Sequence, residues 1–531
     1  MTSPFVTSLF LRSRSLVFLS LVAVSLGIAT AGEIKTKTAT IPAPQEVPAG
    51  DHGIVTLNEQ TLAIQKQDVA RREKELEKHH RRLPIPKAKK RIQLLHIKPE
   101  MILPAPLNFS QSPIRILQDR PLTMRETGGE VSITCEPSVA VRGDEVLVTG
   151  NWFAAFSTDA TSSISKFEAI DPSRLFPEPP SQLEFCCDQV ALYDPNTDTM
   201  FWLLQYGSNA KGNLLRLAVA KKDDIKNQKW RYYDLSPKGV GQYKNEWFDF
   251  SACALGTKFL YVTTNTFSTL EPKPFTRSVA MRIPLDKLAA YEGFDLEYFD
   301  TKDLDDAEAK AFGLCPVQGA TDTMYVGAQI DTETLRVYTW PEATGTVTSN
   351  DVIVQPWDNQ QPEAPSPQGS DWLARADDRI TAGWLSGDAI GFAWTASRDV
   401  NFRFSHVRVA VLNKDTKALV EEPHIYSRDF AYAYPAAAPN SMGEVAIVLN
   451  FGGDTVNPSC AIGVLRKRGT AKSRWILATS AAGKAFPPDK TWGDYLTLRL
   501  DGKNPRNWVT ASFVRENNGT TQVGYQVFSI R

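Results

Sequence analysis

Apolar and polar residues alternate with the two-residue period of half-buried β-strands through most of this chain, and the alternating stretches return in phase. A short polar or cysteine-bearing entry leads into small apolar residues, then a hairpin turn, then an aromatic-rich strand. The clearest copies are TCEPSVAV from Thr134, FCCDQVALYDPNTDTMFWLLQY from Phe185, FDFSACALGTKFLYVTTN from Phe248 and CPVQGATDTMYVGA from Cys315. Later copies are ITAGWLSGDAIGFAWTA from Ile380, YPAAAPNSMGEVAIVLNF from Tyr434 and WGDYLTLRLDGKNPRNWVTASFV from Trp492. Glu136 and Asp494 stand at one phase and are 358 residues apart. Spread over the intervening repeats, that separation is a period of roughly 60 residues, the mark of an array. Each unit is all-β, so the expected fold is a β-propeller, whose radial repetition leaves only short, protected edges. Counting phases gives a seven-bladed β-propeller. A six-bladed one is the alternative, because the 315–378 repeat is the least regular and contains the Pro-rich loop from Pro356 to Pro367.

Turn chemistry supports the strand reading. Asp194-Pro195-Asn196-Thr197-Asp198 separates two apolar runs as the hairpin of a blade would, and Asp331–Thr334 and Asp501–Pro505 do the same elsewhere. The last repeat shows three strands before the chain stops. A propeller must close without a free edge, so the run IRILQ at Ile114–Gln118 is expected to supply the missing outer strand.

The first part of the chain has a different pattern. Arg12 and Arg14, the apolar run Leu16–Ala31 and the small residues Ala29-Thr30-Ala31 read as a signal peptide over residues 1–31. Residues 32–112 read as a basic helical tether and Pro-rich linker, and 113–531 as the propeller. Thr56–Arg82 holds no Gly or Pro and is a good helix former. Arg71–Lys98 contains eleven Lys or Arg against three Glu, which suits a solvated tether or attachment to an anionic envelope surface through residues 71–98. Prolines 84, 86, 99, 104, 106 and 113 then extend the chain. No later segment is long and apolar enough to span a bilayer, so the expected localisation is secreted or periplasmic, with no membrane span after signal cleavage.

Composition removes several functions. A net charge of −1 argues against global attraction to nucleic acid. Of six histidines, only His406 and His424 lie in the repeats, and neither is at the axial phase, so histidine-based nucleophilic catalysis is not expected. No phosphate-binding glycine loop follows a strand, and no cysteine–histidine spacing suits zinc. No metal or other cofactor is expected. The six cysteines are Cys135, Cys186, Cys187, Cys253, Cys315 and Cys460. Export permits disulfides, with Cys135–Cys187, a vicinal Cys186–Cys187 or free thiols all open.

The phase equivalence locates the candidate site. First strands line the central channel of a propeller, and their entry residues ring one mouth. The residues at that phase are Glu136, Asp188, Gln189, Asp249, Gln318, Tyr434, Trp492, Asp494 and Tyr495. Four carboxylates converging on one funnel would hold a metal ion or a cationic or polyhydroxyl ligand, and the aromatics suit stacking on sugar faces. Each carboxylate taken singly could instead cap backbone N–H groups at a blade junction.

The WGDY run at Trp492–Tyr495, FCCDQV at Phe185–Val190 and NWFAAFSTD at Asn151–Asp159 resemble secreted bacterial β-propellers of the sialidase-like (Asp-box) superfamily. The resemblance spans about residues 130–531 as a repeat pattern. Ser397, Asp399, Asn401 and Phe404 match the family's Asp-box turn loosely, with Asn for Gly and Phe for Trp. Sialidases of that family use an arginine triad, and its motif near the start of the propeller is absent here. Arg282-Ile283-Pro284 falls mid-chain at a strand end and reads as structural. The resemblance therefore implies the architecture and a carbohydrate ligand more than sialic-acid cleavage. The leading expectation is binding of an extracellular glycan or protein at the axial funnel. A glycoside hydrolase or lyase using the same carboxylates is the alternative, and the sequence leaves open whether the chain is an enzyme.

Overall fold

The computed structural model describes residues 30–48, 53–79, 85–88, 100–105, 112–160, 162, 166–179, 182–303, 311–467, 472–487 and 490–531. Residues 1–29, most of the expected leader, lie outside them. The described residues form seven antiparallel sheets, each a blade of four propeller strands. Blade 1 runs from Ser138 to Ile170, blade 2 from Phe185 to Leu235, blade 3 from Glu246 to Asp300 and blade 4 from Phe312 to Ile353. Blade 5 runs from Ile380 to Glu421 and blade 6 from Ala431 to Ala481. Blade 7 takes three strands between Thr497 and Ile530 and its fourth, outermost strand from Ile114–Pro121.

The protein is thus an all-β, seven-bladed β-propeller. The six-bladed alternative fails because blade 4 is complete, with Thr323–Asp331, Thr334–Pro341 and Thr346–Ile353 paired in order. The Pro-rich stretch after it is an excursion whose Trp357, Ala364 and Trp372 are buried. The ring closes as its strand pattern requires. Ile114, Ile116 and Gln118 pair with Ile530, Phe528 and Val527, joining the start of the propeller to its end.

The segment ahead of the propeller departs from the expected tether. Thr30–Lys35, Lys37–Ile41 and Gln45–Glu46 add a fifth, outermost strand to blades 4, 3 and 2 in turn. Alternation in KTATI explains this, since Ala39 and Ile41 are buried while their neighbours face out. The helix Glu59–His79 forms where helix-forming residues run unbroken. Its N-terminus is capped reciprocally: Thr61 N–H donates to Asn58 Oδ1 at 2.9 Å and Asn58 N–H to Thr61 Oγ1 at 2.8 Å. It too is docked. Gln65 bonds both the N–H and the C=O of Glu130, Lys66 pairs with the Glu130 carboxylate at 2.6 Å, and Glu73 accepts from Ser132 and Ile133. Polar pairing to backbone, with a half-turn of apolar surface at Val69, holds this helix on the propeller face. Among the described residues no helix is long and apolar enough to cross a membrane.

Tryptophans fill the seams between blades. Trp202, Trp340, Trp372, Trp384, Trp394, Trp475, Trp492 and Trp508 are fully buried, and burial of such large rings is the main favourable term in each seam. The loose Asp-box at Ser397–Phe404 makes a turn, with Asp399 Oδ1 accepting from Asn401 N–H at 2.7 Å. Arg282 is structural as well, donating to both Glu297 oxygens and to Thr344 O.

Candidate functional site

The innermost strands of blades 2 to 6 carry a register break near their axial end. Extra residues on one strand of a pair bend it and re-aim side chains. Phe250, Gly313 and Tyr434 sit at these breaks with positive φ of 53°, 68° and 55°. Glu136, at the corresponding point ahead of blade 1, has φ 49°. Left-handed backbone costs a non-glycine residue about 1–2 kcal/mol. At three of these entries a side chain is kept despite that cost and turned toward the axis or the seam beside it.

Glu136, Asp188, Asp249 and Asp494 meet at one cavity of about 420 Å³ at the mouth of the central channel. Glu136 is 1% exposed. Its Oε1 accepts from Asp494 N–H at 3.0 Å and its Oε2 from Asn151 Nδ2 at 2.9 Å, and it shares a hydrogen bond with Asp188. Asp249 accepts from Gln205 Nε2 at 2.9 Å. Arg375 Nε lies 3.5 Å from Asp494 Oδ1. Arg379 grips Asp377 through Nε and Nη2 and stacks over Phe250 at 4.1 Å. The walls carry Trp152, Trp247, Phe267 and Phe312, and Arg71 and Arg72 of the helix reach the cavity from above. Among the described residues no group of three or more His, Cys, Asp or Glu side chains is arranged to hold a metal ion.

Burial dominates the electrostatics. It pushes the Glu136 carboxyl well above the usual range, with Asp494 and Asp188 adding repulsion and Arg375 opposing them. Asp188 is pushed up to about 7 by burial and by the charges of Asp249 and Asp494. Asp249 is raised by burial, against the pull of Gln205 and Arg379. Like charges forced together cannot all ionise, so the Glu136–Asp188 pair retains a proton near neutrality and titrates as a unit.

The structure joins Cys186 to Cys187 and leaves Cys135, Cys253, Cys315 and Cys460 as buried thiols. The disulfide lines the cavity beside Trp152, whose Nε1 donates to Cys186 O.

The other five axial-phase residues lie off this cavity. Gln189 is used up by structure, donating to Gly150 O and Phe153 O and accepting from Trp202 Nε1. Trp492 is buried against Phe513 and Trp372. Tyr434 is buried behind Asp494. Tyr495 packs its ring edge-on to Phe250 beneath the floor. Gln318 lies lower in the channel, donating to Cys253 O. Reading a phase locates an entry loop, but successive residues there point alternately to the channel and to the seam.

Arg375 and Arg379 escaped the sequence reading. They sit in DWLARADDR, directly ahead of the first strand of blade 5 and hence at the same phase as the acids. The prolines before them made the segment read as a loose loop. Arg71 and Arg72 were read as part of a basic tether. The remaining described residue of that run with a charge beyond the helix is Lys87, and most of 71–98 lies outside the described side chains.

No family model and no curated protein matches this chain. Among solved structures it is similar to an α-L-arabinanase from Penicillium chrysogenum complexed with arabinobiose, at 8% identity and TM-score 0.37, over 76% of this chain and 97% of that one. It is also similar to the β-propeller domain of the Trilobed protease from Pyrococcus furiosus, at 7% identity and TM-score 0.38, over 73% and 94%. A neuraminidase-like protein of A/little yellow-shouldered bat aligns at 8% identity and TM-score 0.35, over 64% and 96%. At such identities no side chain is carried across from any of them.

Proposed function

We propose that this chain is an exported glycan-acting enzyme that cleaves a glycosidic bond in the axial cavity, as a hydrolase or a lyase. The observation that carries the reading is the convergence of Glu136, Asp188, Asp249 and Asp494 with Arg375 in one aromatic-walled cavity of about 420 Å³. A site built only to hold a neutral sugar needs hydrogen-bonding groups, and amides would supply them without mutual repulsion. Gathering four carboxylates costs free energy, and such perturbed clusters concentrate at catalytic sites.

Hydrolysis requires one carboxylic acid to protonate the leaving oxygen and one carboxylate to act as base or nucleophile. The Glu136–Asp188 pair, holding a proton near neutrality, is the acid. Asp494, beside Arg375, is the partner carboxylate. Asp249 adjoins both and raises the proton affinity of Asp188. The aromatic walls stack on sugar rings, and Trp152 with the Cys186–Cys187 bridge forms a rigid side of the cavity. Export is read from residues 1–31, and the oxidised cysteine pair accords with it.

The deciding experiment is product release from a broad panel of glycans and polysaccharides, read by mass spectrometry, comparing the protein with Asp188→Asn and Asp494→Asn. The expected result is turnover that falls 100-fold or more in each variant, the scale of lost acid–base catalysis, with melting unchanged or raised. Binding without product on every glycan, with affinity lost in the same variants, would replace catalysis with recognition. Neither turnover nor binding would remove the carbohydrate reading.

A further inference from the structure

The Phe250–Tyr495 pair forms a floor, and beneath it the axial channel continues as a second cavity of about 70 Å³. Sugar pockets run to some 300 Å³ and more, whereas a space of this size takes an ion and a few waters. Arg499, on the innermost strand of blade 7, lines it together with Ser251, Cys253 and Cys315. This arginine is half-buried. Its Nη1 donates to Leu498 O at 3.2 Å, and its Nε is buried with no partner. Arg216, Arg282, Arg336, Arg379 and Arg408 are buried, and each is held by a carboxylate. Among the described residues no carboxylate pairs with Arg499.

The hydroxyl of Ser251 is likewise buried and unpartnered in the same cavity. The thiols do not supply the missing charge. Burial pushes Cys253 up to about 12, even with Arg499 beside it, and Cys315 up to about 12 as well. Both stay neutral, and an S–H is a further weak donor. Guanidinium, hydroxyl and thiols therefore present donors to one small space, with the aromatic floor between them and the carboxylates above. A buried cation without a counter-charge is strongly unfavourable.

We propose that the lower channel is a binding site for a small monovalent inorganic anion of the halide class, held between the Arg499 guanidinium and the Ser251 hydroxyl. The anion neutralises a guanidinium that no carboxylate among the described residues pairs with, and it fixes the inner strands of blades 3 and 7 around it. It is independent of the glycan reading of the upper cavity.

The test uses bromide, whose anomalous scattering identifies it. Crystals of the full chain soaked in sodium bromide are expected to show a peak within hydrogen-bonding distance of Arg499, absent in Arg499→Met. In solution, the melting temperature at fixed ionic strength is expected to rise when sodium gluconate is exchanged for sodium chloride, and to stop doing so in Arg499→Met. Should that variant fail to fold, Ser251→Ala serves, with half-saturating chloride raised about 5- to 10-fold by loss of one hydrogen bond. No bromide peak at Arg499, or a peak that persists without its guanidinium, overturns the proposal. Halide-independent melting of the unaltered protein does so as well.

Discussion

Asp494 N–H donates to Glu136 Oε1 at 3.0 Å across 358 residues of chain. The residue that opens the first blade and the residue that opens the last are thereby joined at the axis. Both also line the upper cavity. Closing the ring and assembling the carboxylates are one event, because neither set of neighbours exists until blade 7 reaches blade 1.

The outer rim of the same closure rests on the strand Ile114–Pro121. Ile114 is 5% exposed and pairs with Ile530. Ile114→Ala is expected to destabilise the protein by about 2–4 kcal/mol, the usual range for truncating a core isoleucine. Denaturant unfolding measures this, and glycan binding should fail at the same denaturant concentration. A loss below about 0.5 kcal/mol, the scatter of surface substitutions, would mean that the ring holds without its closing strand.

Asp188 gives the protein a pH dependence of known sign. Its carboxyl stands at about 7 in the folded state against 3.8 for an unperturbed one. The folded state therefore holds a proton that the unfolded state has released. Stability from this source is full below about pH 4 and is lost as the pH rises to about 7, by roughly 4 kcal/mol if the shift belonged to Asp188 alone. Asp188→Asn keeps the neutral hydrogen-bonding shape. Its melting temperature should match the unaltered protein near pH 4.5 and exceed it at pH 8. A difference that does not change with pH would show that Asp188 is not the protonated group.

The repeat period, the blade count and the closing strand were legible in the sequence because each follows from local alternation and from the rule that edges must be covered. Glu136, Asp188, Asp249 and Asp494 were legible because symmetry maps one phase to one place. The two arginines were not, since Arg375 and Arg379 reach the axis only through how the 354–379 excursion packs, with Trp357 and Trp372 buried beneath it. Helix 59–79 was legible as a helix but not as a docked one. Its face is polar, and its anchors are the backbone groups of Glu130 and Ile133, which no side-chain pattern announces.

His406 imposes the opposite slope on the acid side. It is fully buried and stacks on Phe402 at 3.7 Å, with the Phe404 backbone beside its ring. Burial, with Arg408 and His424 nearby, holds it well below 6.5. The unfolded chain takes up the proton that the folded one refuses, so this contribution is complete above about pH 6.5 and is lost as pH falls below it. His406→Phe preserves a stacked ring without a titrating group. Its melting temperature should fall less steeply than that of the unaltered protein between pH 6.5 and 4.5. Parallel curves would assign the acid sensitivity to another group.

The helix Glu59–His79 should be separable from the propeller without unfolding it. Helices in proteins draw most of their stability from tertiary contacts, and this one is held by Gln65 and Glu73 bonding to residues 130–133. It brings Arg71 and Arg72, both paired to Asp68 at 2.7 Å, to the wall of the acidic cavity. The pair Gln65→Ala and Glu73→Ala removes four hydrogen bonds, each worth about 1 kcal/mol net, or more for those to the carboxylate. Limited proteolysis within 59–79 should then accelerate at least 10-fold while the melting of the propeller is unchanged. Glycan KM should shift in the same variant and in Arg71→Ala with Arg72→Ala, because the upper wall is lost or uncharged, whereas kcat should hold, since both arginines are paired to Asp68 of their own helix. Unaltered proteolysis would show that the helix is anchored by something other than these bonds. A fall in kcat with KM intact would place the arginines in the chemistry itself.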